Sequence, residues 1–253
     1  LRLGGQVGQT NRYRSVMETF MRPGGGMAAM MSSDTTLPFM RMTMHMTSTL
    51  SAVSADALTF VEVIDSAAME TPAAPQMSGM MGAMAGQMRG QTTTQKMDRR
   101  GRVLSSEVSG GMAAMAGMGG PGGGRGGQGA MGGRSERPIF LLPGRAARVG
   151  ETWTDTSTTP GSNPTEGASA MEATFRLERI DQRGSSRVAV VSMNGTRTTA
   201  TPQGPQTLSI MGEFQLDLTG SRLAGATMTM SGTTQSREGA MPVRMHMIHS
   251  IIP

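Results

Sequence analysis

From Phe39 onward, apolar and polar residues alternate along the chain. Met40, Met42, Met44 and Met46 interleave with Arg41, Thr43, His45 and Thr47. A two-residue period over eight positions predicts a β-strand with one apolar face. Residues 57–65 (ALTFVEVID) predict a second strand. Residues 91–108 predict a third and fourth around Asp98-Arg99-Arg100-Gly101, a spacing that fits a tight reversal with glycine where φ must be positive. In the second half, residues 171–181, 187–194, 207–218, 223–232 and 241–252 read as five more strands joined by turns containing Gly or Asp. Such short connections predict antiparallel pairing, because parallel strands need long crossovers. The expected fold class is therefore all-β: an antiparallel sheet arranged as a meander, sandwich or open barrel, with irregular extensions rich in Met and Gly.

Those extensions organise the rest of the chain. Residues 1–38 read as an extended N-terminal arm, with one or two helical turns between Tyr13 and Met21. A β-rich half over 39–109 carries a Met/Gly insertion at 75–90, and a Gly/Met linker at 110–137 precedes a β-rich half at 138–253. Glycine costs a helix about 1 kcal/mol per residue relative to alanine, so any helix in these stretches is short and held by packing. The stretches are too short to span a bilayer, too Gly-rich to fold alone and too apolar for a solvated linker. They are expected to be contact surfaces, through Met27, Met30 and Met31, through Met77, Met80, Met81, Met84 and Met88, and through Met112, Met115 and Met118. Arg22, Arg89 and Arg125 would bind acidic groups at the rim of the contact.

Composition sharpens this picture. The chain holds 28 Met against 13 Leu, and methionine supplies adaptable apolar volume. It has no Cys, which removes disulfides, thiolate metal sites and cysteine nucleophiles. The net charge is +5, and of 23 Lys and Arg only Lys96 is lysine. Arginine favours fixed, forked contacts with carboxylates and phosphates. The arginines are dispersed and aromatics reach only 3%, a pattern that argues against nucleic-acid binding. With no membrane-length apolar run and no basic-then-apolar leader, the expectation is a processed chain, soluble or peripheral to a membrane.

Candidate chemistry is sparse. Met44, Met46, Met245, Met247 and His249 form the sharpest donor set, since thioether sulfur with imidazole selects Cu(I). On strands, however, His45 and His246 point away from their neighbouring methionines, and only His249 shares their face. A Met-lined packing face is the simpler reading, with Cu(I) as the alternative. Gly122-x-Gly124-x-x-Gly127 lies in a glycine run with no strand before it or helix after it. Thr93-x-x-Lys96 lies in a polar strand without partners, and no nucleophile elbow is present. The acidic residues are scattered singly, so no residue stands out to carry catalysis. The expectation is a chain that is no enzyme and holds no cofactor.

The phrase LPGRAARVGETWTDT at residues 142–156, with strand, turn and strand after it, resembles uncharacterised secreted or lipoprotein-type bacterial β-rich proteins. In those, Pro, a short gap and Val-Gly-x-x-Trp precede a meander with an Asp-x-x-Gly turn, the first part matched here by Pro143, Val149, Gly150 and Trp153. The resemblance spans residues 138–223 and implies an envelope location, periplasmic or extracellular, without implying a reaction. The lipid-bearing cysteine of a lipoprotein is missing. In kind, though through no motif, the chain is also similar to membrane-extrinsic subunits that join reaction centre to light-harvesting antenna in bacterial photosystems. The expected function is a non-catalytic scaffold that bridges other chains of a membrane-associated complex, with the membrane surface as a further partner. A periplasmic Cu(I) or lipid carrier is the alternative.

Overall fold

The computed structural model describes residues 1–21, 31–110, 140–159, 168–201, 204–236 and 239–252. The alternating segments become strands β1 (Thr10–Met21), β2 (Met40–Val53), β3 (Ala57–Glu70), β4 (Thr92–Asp98), β5 (Val103–Ser109), β6 (Thr152–Thr159), β7 (Ser169–Arg183), β8 (Ser186–Thr201), β9 (Gly204–Asp217), β10 (Arg222–Ser236) and β11 (Gly239–Ile252). They form a single antiparallel sheet in the order β5-β4-β3-β2-β1-β11-β10-β9-β8-β7-β6. The all-β reading holds. Because β1 pairs with both β2 and β11, the two sequence halves meet in one continuous sheet.

Two strands differ from the sequence reading. Residues 10–21, expected within an arm and as helical turns, form the central strand β1. Its inward positions Asn11, Ser15 and Thr19 are polar and buried, so the period of two is written in burial and not in hydrophobicity. Residues 152–159, outside the strands read from the sequence, form the edge strand β6. There Trp153 is the lone large apolar residue, and Thr152, Thr154, Thr156 and Thr158 face solvent.

Register places the inward side chains in rows across the sheet. The longest reads Met69–Met42–Met17–Met247–Met228–Gly212–Met193–Phe175–Trp153 from β3 to β6. Gly212 is needed in that row, since a Cβ there would lie 2.9 Å from the Thr227 carbonyl oxygen. Such close backbone approach lets a sheet bend. The outer face is hydroxylated and charged, with threonine pairs such as Thr154–Thr174 and Thr198–Thr207.

The bend brings the two edges together without a ladder. Arg100 and Arg102, flanking the β4–β5 turn, both bind the carboxylate of Asp155 on β6, Arg102 at 2.9 Å. An irregular strap, Phe140-Leu141-Leu142, seals the seam and is almost wholly buried. Leu142 N–H donates to the Arg100 carbonyl at 2.8 Å, Arg100 Nε donates back to the Leu142 carbonyl at 2.8 Å, and Trp153 Nε1 donates to the Leu141 carbonyl at 2.8 Å. At the end bearing the β4–β5 and β9–β10 turns, Leu3 enters the interior. Leu3 N–H donates to Arg99 and Gly4 N–H to Ser221. The main core, built on Phe175, Phe214, Leu58, Leu177 and Ile210, thus occupies the inside of an open barrel.

Candidate functional site

The Met/Gly insertion is a 3-10 turn over Pro75–Met77 followed by helix α1, Ser78–Gly86. Its ends carry no side-chain cap, no acidic residue in the first turn and no basic residue in the last, so packing must hold it. Thr71 supplies the anchor: its hydroxyl donates to the Ala74 carbonyl at 2.8 Å, and its N–H donates to Ser78 Oγ at 3.2 Å. Ala85 is fully buried against a cluster of Phe39, Met40, Met42 and Met69. Met17, Met21, Met31, Met44, Ala67, Met81 and Met88 complete that cluster from partly buried positions.

The other side of α1 stays apolar and open. Met80 is 59% exposed, and Gly79, Gly82, Ala83 and Gly86 are exposed beside it. A Cβ added at Gly79, Gly82 or Gly86 would meet nothing within 4 Å. Nothing among the described residues therefore requires glycine at these positions, although each lowers helix propensity.

The expected contact residues divide accordingly. Met80 and Arg89 are exposed, Met77 and Met84 are half-buried, and Met31, Met81 and Met88 turn inward to pack under the helix. Met27, Met30, Met112, Met115, Met118, Arg22 and Arg125 lie outside the described residues.

The expected metal set shares the inner face but is split by β1. Ser15 stands between Met44 and His249, and Met17 lies directly opposite Met247. Met44 belongs to the cluster under α1, whereas Met245 and Met247 belong to the main core. His45 and His246 face outward as expected, His45 Nδ1 lying 3.1 Å from Ser66 Oγ and His246 Nδ1 3.8 Å from Glu18 Oε2. His249 is buried, and its ring stacks on Tyr13 with centroids 4.7 Å apart.

A polar patch at the plugged end of the barrel was not legible in the sequence, because its members are far apart there. Arg222 Nη1 donates to Asn11 Oδ1, Arg222 Nε lies 3.3 Å from Asp217 Oδ2, and the Tyr13 hydroxyl donates to the Leu223 carbonyl at 3.4 Å. Asn11, Tyr13, Arg222 and Leu223, together with Leu3, Gln9 and His249, line a cleft of about 20 Å³. That is room for one water and not for an organic substrate.

Comparison with family models, with curated proteins and with solved structures finds no match for this chain.

Proposed function

We propose that this protein is a non-catalytic scaffold subunit that docks onto another protein chain of a membrane-associated complex through the open side of α1. One observation carries the reading: three glycines in a nine-residue helix, each costly to that helix, have nothing among the described residues where their side chains would be. Glycine so placed admits the backbone of a neighbour to close range, and Met80 and Met84 supply a dry, adaptable surface around it. Arg89, exposed just beyond the helix, suits an acidic group at the rim. The barrel interior is filled by the chain's own Phe140, Leu141, Leu142, Phe175 and Phe214, which weighs against an acyl chain carried inside it. An extracytoplasmic location rests on the resemblance around Val149, Gly150 and Trp153.

The glycines give a test in which stability and function move apart. Replacing Gly79, Gly82 and Gly86 with alanine should raise the stability of the isolated protein, by up to about 1 kcal/mol per site. The same change should weaken co-migration with a solubilised membrane complex on native gels. Unchanged co-migration would remove the helix from the interface.

A further inference from the structure

The sheet's inner face carries two cores of different chemistry. The main core is chiefly aliphatic and aromatic, with Leu58, Leu177, Ile210 and Phe214 among its most buried members. Among the described residues, the cluster under α1 contains no Leu, Ile or Val, and nine of its twelve members are methionine. A compositional bias of the whole chain would enrich both cores alike, so this segregation needs a local cause. Adaptability toward a partner is not that cause for Met40, Met42 and Met69, which are buried. As pure filling, methionine is the poorer choice, since it loses more rotamer freedom than leucine and specifies a core less well. What thioether adds over an aliphatic side chain is a soft donor atom.

Register sets three of these donors side by side. Met69 on β3 lies directly opposite Met42 on β2, and Met42 lies directly opposite Met17 on β1. Cross-strand partners have Cβ atoms about 4.5–5.5 Å apart. Three sulfurs bound to one ion at about 2.3 Å would stand about 4 Å from one another, within the reach of three flexible side chains on adjacent strands. Met81 of α1 and Met88, just beyond its end, pack over the same cluster. We propose that Met17, Met42 and Met69 bind one soft monovalent cation, Cu(I) by its chemistry, beneath the helix. A set made only of neutral thioethers has little to offer Zn²⁺, Mg²⁺ or Ca²⁺ and selects Cu(I) or its analogue Ag(I). The site is distinct from the outward-facing surface of α1 and stands or falls independently of the docking reading.

The test uses the full chain under anaerobic conditions. A Cu(I) titration against a chromogenic chelator should give one ion per chain. With methyl-labelled methionine, one equivalent of Ag(I) should shift the methyl resonances of Met17, Met42 and Met69 and leave those of Met193 and Met228 in place. Changing Met17, Met42 and Met69 together to leucine nearly preserves volume. It should weaken Cu(I) binding by more than the 10–100-fold, roughly, that loss of a supporting residue costs. If that variant does not fold, the resonance shifts in the native chain and the single change Met42→Leu decide the matter. Binding no tighter than that of a peptide of residues 75–90, a triple-leucine variant that binds like the native chain, or shifts at Met193 and Met228 in place of the proposed three would each overturn the proposal.

Discussion

Gly101 occupies a position that two constraints define. Its φ of 97° lies in the left-handed region, and a Cβ there would sit 2.8 Å from the Phe140 carbonyl oxygen. The first constraint was legible in the Asp-x-x-Gly spacing, where Asp98 Oδ1 accepts the N–H groups of Arg100 and Arg102 at 2.8 Å. The second was not, because the strap that crowds Gly101 is distant in sequence. Gly101→Ala should cost at least about 2 kcal/mol in urea unfolding, through strain and displacement of the strap. The sole tryptophan, Trp153, bonded to Leu141, should report the displacement as a fluorescence shift at low urea. Glu151 offers a pH test. The Arg148 N–H, and after it the Arg145 guanidinium, hold its carboxyl below the usual glutamate range. A carboxyl so depressed stabilises the folded turn in full above the unfolded value of about 4.3, and that contribution is lost as pH falls through the lowered folded value. Chemical shifts of residues 148–151 should therefore titrate with a midpoint below that of an ordinary glutamate, and Glu151→Gln should abolish the movement.

At the scale of elements, what the sequence reveals depends on whether burial and hydrophobicity coincide. They do in β2, where four methionines alternate with polar residues, and in β7, where Met171, Ala173, Phe175 and Leu177 are buried in alternation with exposed neighbours. They part in β1, whose inward face includes Asn11, Ser15 and Thr19, and in β6, whose inward face includes Asp155. Both strands sit where polar groups have local work: β1 borders the cleft with Arg222, and Asp155 draws Arg100 and Arg102 across the seam. The Val-Gly-x-x-Trp phrase has a comparable explanation. Gly150 takes a φ of 86°, its N–H donates to the Leu177 carbonyl at 2.7 Å, and Trp153 stacks on Phe175 while holding the strap. Asp155→Asn keeps the shape and removes the charge. Because both arginines are about one-third or more exposed, the expected loss is modest, about 1–2 kcal/mol. Hydrogen exchange should rise in β6 and in the strap before it rises in β8 or β9. A uniform rise would mean that the seam is not a separate opening unit.

The whole molecule is a curled sheet closed by its own strap, with one Met/Gly helix laid over a methionine cluster and an apolar strip of that helix facing outward. The all-β class and nine of the eleven strands followed from alternation and turn chemistry. The junction of β1 with β11 did not, because it pairs segments at opposite ends of the chain and no local pattern encodes that. The methionines of residues 77–88 were legible as apolar and out of place in a linker, but their division into Met81 and Met88 beneath the helix and Met80 above it required the fold. That division is the basis of the scaffold reading, and hydrogen exchange over residues 77–90 tests it most directly, comparing the isolated protein with the same chain in its solubilised native complex. The account predicts that amides of α1 exchange markedly more slowly in the complex while those of β8 and β9 are unchanged. Equal exchange of α1 in the two states would contradict it.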